Sequence, residues 1–300
     1  MKLPNAPLAE VIFELHWSVQ SLKVKGMDIV GFDPFFEEFS KKFTEEMAKQ
    51  AFSTQEDHAS NAAPVPYGIV YRYKKDPKKP FPLNQIGHGI FACNIASEYE
   101  WKAFRKIISD GLETTFKSHP GTLGKTPKIV GLELRYLDIF DEALLKHRSV
   151  NRFLKESTKI KYEGLDFFQS ELFDDFDDTV FVTTRRLKKD PDTKFRMEIG
   201  PGRFLREKER PILMSPILMI SKVEKKLPEI NLGVNQRTIR KNIMEWVDNA
   251  YSITSPFFKS VIHDELMTEF NKKELKTAPK KVAKAATKKA ASKVAKKPHK

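Results

Sequence analysis

Leu3-Pro4-Asn5-Ala6-Pro7-Leu8-Ala9-Glu10-Val11-Ile12-Phe13-Glu14-Leu15-His16-Trp17 is the stretch on which the fold turns. From Ala9 onward it reads as a β-strand. Val11, Phe13, Leu15 and Trp17 fall on one face, and Glu10, Ile12, Glu14 and His16 on the other. Side chains alternate across a pleated strand, so the pattern buries one face and leaves the other wet. Pro4 and Pro7 hold the lead-in extended and stop a helix from starting there. Such a strand founds an antiparallel sheet with helices packed on its apolar side.

The rest of the chain supplies those partners. Val19 to Gly31 is polar and reads as a loop. Asp33-Pro34 opens a helix, with Asp33 as cap and Pro34 at the first helical position. Phe35, Phe36, Phe39 and Phe43 recur at helical spacing and form a core stripe. Ser53 to Pro66 reads as a connecting loop. Tyr67–Tyr73 and Gln85–Ile95 read as two strands joined by a basic hairpin loop. Tyr99–Lys117 reads as a helix that ends before His119-Pro120-Gly121. Lys128–Phe140 is a further strand with Glu133 and Arg135 on its polar side. Asp141–Lys155 follows as a helix. Thr179–Leu187 and Lys194–Gly200 form a hairpin. Ile212–Val223 is a strand in which Pro216 implies a bulge or an edge. A helix from Val234 kinks or restarts near Pro256 and runs to about Asn271.

Strands and helices do not alternate strictly, so the expected class is α+β rather than a doubly wound parallel sheet. The expected organisation is two similar α+β halves, residues 1–140 and 141–273, followed by a disordered Lys/Ala-rich tail, residues 274–300.

Composition narrows the functional classes. The net charge is +13, but residues 276–300 hold ten lysines and no acid. Removing those ten leaves +3 for residues 1–275, so the basic character belongs to an appendage. The one cysteine, Cys93, has no partner for an internal disulfide and lies in an apolar strand, which fits a buried, inert thiol in a reducing compartment. No apolar run approaches membrane-spanning length and no secretory signal opens the chain, so the expected localisation is cytoplasmic, away from membranes.

Chemistry-bearing motifs are few. The seven histidines show no paired spacing, and Asp174, Asp175, Asp177 and Asp178 lack the glycine of a calcium loop. No metal site and no cofactor are therefore expected. Phosphate-cradling and nucleophile-elbow patterns are missing, and Pro201 removes a backbone donor from Gly200-Pro201-Gly202. One constellation stands out. Glu10, Glu14, Glu133, Arg135, Arg185, Arg196, Glu198 and Arg203 lie on or beside expected strands. If their faces close on a cavity, alternating acids and bases would hold a metal–triphosphate, as in tunnel-type triphosphatases. The plainer alternative is an outward face stitched by cross-strand salt bridges.

Two resemblances add to this. The opening L-P-N-A-P-L-x-E-V-I-F-E-L-x-W resembles the start of a sporadically distributed family of bacterial proteins without an assigned activity. Gly131-Leu132-Glu133-Leu134-Arg135-Tyr136-Leu137-Asp138 is similar to that family's mid-chain strand, with Asp138 standing where the family has Asn. Trp246–Leu266, with Phe258 at its middle, is similar to its last helix. No catalytic residue carries over. The sporadic distribution implies a mobile or defence-linked setting in which the folded part recognises another protein.

The second resemblance is to the C-terminal tails of linker histones and some bacterial histone-like proteins. It rests on Lys276, Lys280, Lys281, Lys284, Lys288, Lys289, Lys293, Lys296, Lys297 and Lys300, set among Ala, Pro, Thr, Ser and Val. Such a segment has too little apolar area to offset the entropy of ordering. It lacks Arg for bidentate base readout and aromatics for stacking, so the expected partner is the phosphate backbone of DNA or RNA, without sequence preference. A merely solubilising tail is the alternative. The sequence thus reads as a non-enzymatic binding protein with a nucleic-acid-binding tail. A nucleotide- or polyphosphate-acting enzyme and a protein-interaction component are the competing readings.

Overall fold

A computed structural model describes residues 7–24, 27–59, 65–96, 99–120, 128–145, 148–161, 180–201, 216–230 and 236–271. The fold is α+β. A nine-stranded sheet in the order β4-β5-β6-β7-β1-β8-β11-β10-β9 forms its floor, with every neighbouring pair antiparallel. The strands are β1 (Leu8–Trp17), β4 (Thr54–Asp57), β5 (Ile69–Lys74), β6 (Leu83–Gly87), β7 (Ile90–Ile95), β8 (Ile129–Phe140), β9 (Phe181–Arg186), β10 (Thr193–Pro201) and β11 (Ile217–Ile230). A separate hairpin joins β2 (Gln20–Val24) and β3 (Met27–Phe32). The helices are α1 (Phe36–Lys49), α2 (Trp101–Ser118), α3 (Glu142–Leu145), α4 (Val150–Ser157), α5 (Gln236–Val261) and α6 (Asp264–Asn271).

The founding strand sits near the centre, with β7 on one side and β8 on the other. Its alternation is as expected: Val11, Phe13, Leu15 and Trp17 are buried. Those side chains join Phe39 and Phe43 of α1, Phe104, Ile108 and Leu112 of α2, and Trp246 and Val247 of α5 in one core. A second core, under α3, α4, α6 and the end of α5, takes Phe140, Met197, Ile199, Ile217 and Met219 from the same face of the sheet. Both cores therefore load one side of a single sheet. The order of elements recurs when the count restarts at β8. Each set is a founding strand, helix, a meander returning to that strand, then a long helix. β8 pairs with β1 and with β11, so the sheet runs unbroken past residue 140.

Several elements differ from their sequence expectation. Val19–Gly31, read as a loop, contains the β2–β3 hairpin, and Ser53–Pro66 contains the edge strand β4. Both are short, and β4 (Thr-Gln-Glu-Asp) is polar on both faces, so pairing supplies what apolar alternation does not. Gln85–Ile95, read as one strand, is the end of β6, a two-residue turn at His88-Gly89, and β7. Gly89 has φ +80°, a conformation that costs glycine nothing and suits a tight hairpin turn. Asp141–Lys155 divides into α3 and α4. β11 begins at Ile217, just after Pro216, and lies between β8 and β10, so the proline marks a strand start rather than an edge or a bulge. α5 continues through Pro256, and the break comes instead at Ile262-His263 before α6. α1 starts at Phe36, later than Pro34, yet the Asp33 carboxylate still accepts from the Phe35 N–H at 2.9 Å.

Candidate functional site

The strand pattern that buries one face leaves the other for function. Directly paired residues share a face, so the register assigns it. Glu14 lies opposite Glu133, and Ile12 opposite Arg135. Arg135 lies opposite Lys222, Glu133 opposite Glu224, and Lys222 opposite Arg196. On the other side Ile12 meets Asn94, Ala92 meets Gln85, and Gln85 meets Arg72. Glu10, Glu14, Glu133, Arg135, Arg196 and Glu198, singled out from the sequence, thus converge on the face away from both cores. Arg185 does not: it pairs with Phe195, a core-side residue. Arg203, the Asp174–Asp178 cluster and the lysines from Lys276 to Lys300 lie outside the described residues.

One half of this face is an ionic ladder. Arg135 Nη2 donates to Glu14 Oε1 at 2.8 Å, and its Nε lies 3.3 Å from Glu133 Oε1. Lys222 Nζ reaches Glu133 at 3.1 Å and Glu224 at 2.8 Å. Arg196 Nη2 donates to Glu198 at 2.9 Å. Burial alone would raise the Glu14 pKa, but the hydrogen bond from His16, at 3.0 Å, and the Arg135 charge outweigh it and hold the carboxyl below its ordinary value. Burial would likewise lower Lys222, and its two glutamates reverse that. Opposite charges cancel along this half. An added polyanion would compete with the carboxylates already seated on each cation.

The other half is different. Arg72 Nε donates to Gln85 Oε1 at 2.9 Å, Gln85 Nε2 to Asn94 Oδ1 at 2.7 Å, and Asn94 Nδ2 to Glu10 Oε1 at 2.6 Å. The direction of this relay follows from its ends, because a guanidinium only donates and a carboxylate only accepts. A cavity of about 340 Å³ opens here, with Ile12, Leu83, Ala92 and Phe81 as its apolar walls. Burial raises the Glu10 pKa, and the Asn94 bond and the charges of Arg135 and Arg72 offset only part of that. Arg72, Gln85, Asn94, Lys222 and Glu224 were not singled out from the sequence. Glu224 was hidden because the expected strand stopped at Val223. Arg72 was legible from its place between Tyr71 and Tyr73.

Asp33, His119 and Cys93, buried on the core side, have structural partners. Asp33 accepts from Trp17 Nε1 at 2.8 Å and lies 3.3 Å from His119 Nε2, with both Asp33 and His119 3 % exposed. Burial would raise the Asp33 pKa, but the His119 and Trp17 bonds lower it. Cys93 is fully buried, burial pushes its thiol up, and its Sγ faces Asn84 Oδ1 at 3.0 Å. A thiol held protonated is a poor nucleophile. Among the described residues no three His, Cys, Asp or Glu side chains group as metal ligands would, and no helix is long and apolar enough to cross a membrane. Neither the family models nor the curated proteins compared with this sequence match it.

Proposed function

We propose that this protein is a non-enzymatic binding protein that holds nucleic-acid phosphates through residues 276–300, while the folded part serves a separate recognition task. The observation that carries this reading is the segregation of charge: ten lysines without an acid in residues 276–300, against +3 over residues 1–275. Lysines spaced along a segment without aromatics or arginine favour phosphate over base edges. The ionic ladder on β8, β10 and β11 supports the division of labour, since its cations are already paired with carboxylates.

The test is gel or filter binding of duplex DNA and of RNA by the whole chain and by a chain ending at Lys273. If about five lysines engage duplex phosphates, log K falls against log salt with a slope of about −4 to −5. The shortened chain is expected to lose this binding. Equal affinity of the two would overturn the proposal.

A second reading, an enzyme acting on nucleotides or polyphosphates, draws on the convergence of Glu10, Glu14, Glu133, Arg135, Arg196 and Glu198 on one face. It requires triphosphate hydrolysis with Mg²⁺ or Mn²⁺ that is lost in Glu133→Gln. An inert whole chain would remove it.

A further inference from the structure

Among the described residues, neither charged end of the Arg72–Glu10 relay forms an ion pair. Glu10 has a single direct partner, the Asn94 amide, and one carboxylate oxygen to spare. Among the described residues no cation lies within ion-pair distance of it; Arg135 turns instead to Glu14 and Glu133. Arg72 is held by the neutral Gln85 amide, and its Nη2 lies 3.5 Å from His58 Nε2. Glu56, opposite Arg72 in register, is occupied by Lys74 at 2.6 Å. Nη1 of Arg72 is therefore unused by any described carboxylate. The amides between them are locked in one orientation, and the cavity wall above is apolar at Ile12, Leu83 and Phe81.

A fixed anion, Glu10, and a fixed cation, Arg72, line one small, partly apolar cavity beside the Arg135-paired Glu14, and complement a molecule with the reverse charges. The relay itself bounds the span: its hydrogen bonds of 2.9, 2.7 and 2.6 Å, with about 2.2 Å from oxygen to nitrogen across each of the two amides, put Arg72 Nε and Glu10 Oε1 no more than about 13 Å apart. A chain carrying an ammonium and a carboxylate about 7 Å apart, with a hydrogen bond of about 2.8 Å at each end, spans that distance. An α-amino acid is too short. A six-carbon ω-amino acid fits, and so does a two-residue peptide, about 7 Å long when extended. The cavity, about 340 Å³, also lies within the range of small-molecule sites. We propose that this end of the polar sheet face is a binding site for a linear zwitterion, its ammonium on Glu10, its carboxylate on Arg72 and its apolar spacer against Ile12 and Leu83. The site is independent of the lysine-rich segment.

The experiment titrates the whole chain with three probes of equal length, 6-aminohexanoate, hexylamine and hexanoate, followed by calorimetry or NMR shifts. The zwitterion is expected to bind about tenfold or more tighter than either singly charged probe, the worth of one charge-assisted hydrogen bond. Glu10→Gln should reduce 6-aminohexanoate to the level of hexanoate and leave hexanoate unchanged, and Arg72→Gln should do the converse with hexylamine. Neither variant should alter nucleic-acid binding, which separates this site from the function proposed above. No binding of 6-aminohexanoate, or equal binding of all three probes, overturns the proposal on the unaltered protein, whatever the variants do.

Discussion

Asp138 shows how a single atom type sets a pH dependence. It lies on the core face of β8, 4 % exposed, between Tyr136 and Phe140 and opposite Leu8 and Met219. Burial alone pushes its pKa up to about 7. An acid whose folded pKa exceeds its unfolded value is protonated in the fold while the unfolded chain has already ionised. Stability therefore falls as pH rises from about 4 to 7, by on the order of 4 kcal/mol, and stays at the lower level above that. Asn has nearly the shape of the protonated acid but no titratable proton. Asp138→Asn is expected to be near neutral at pH 4 and stabilising by a few kcal/mol at pH 8, measured by urea unfolding at both. Equal effects at the two pH values would show that Asp138 is solvated. Arg135 obeys the opposite sign. It separates Glu14 from Glu133, which face each other directly across β1 and β8. Arg135→Met would leave like charges opposed and cost about 1–3 kcal/mol near neutral pH. Because the Glu14 pKa is depressed in the fold, that stabilisation is present above its unfolded value and lost as pH falls below it. The gap between the variant and the parent should therefore close in acid.

At the scale of elements, legibility depended on how much each strand had to say. β1 and β8 announce themselves because long strands with one buried face must alternate. β6 and β7 do not, because they are buried on both faces and read as one continuous run. The turn that divides them was visible as Gly87-His88-Gly89, but only a positive φ at Gly89 makes it a hairpin. An added Cβ there would stand 2.4 Å from Val19 Cγ1 and 2.9 Å from the Trp17 carbonyl oxygen, which itself sits beside the turn. Gly89→Ala thus combines backbone strain with a clash. It is expected to cost about 2 kcal/mol or more, seen as a lower urea midpoint with an unchanged slope. If the variant unfolds at the parent's midpoint, the turn does not need glycine. The polar side of the sheet was half legible for a related reason. Acids and bases on β1 and β8 could be placed on a face from parity alone. Which of them would meet Asn94 or Lys222 depended on strand order, which local pattern does not encode.

The whole molecule joins two kinds of electrostatics. Across β8, β10 and β11 opposite charges alternate at contact distance and cancel, so added salt has little to release there. In residues 276–300 ten lysines stand without an acid, and counterions displaced from a polyanion would dominate the free energy. The two regions therefore separate under salt. With about five phosphates engaged, raising salt from about 50 to 200 mM should weaken duplex binding by two to three orders of magnitude. Over the same range the urea midpoint of the fold should barely move. Because the segment has lysine but no arginine or aromatic residue, A·T-rich and G·C-rich duplexes should be bound within about twofold of each other. A base preference that survives high salt would transfer recognition to the folded part. In that case the polar sheet face, where Arg72 and Glu10 stand outside ion pairs among the described residues, is the place to look for it.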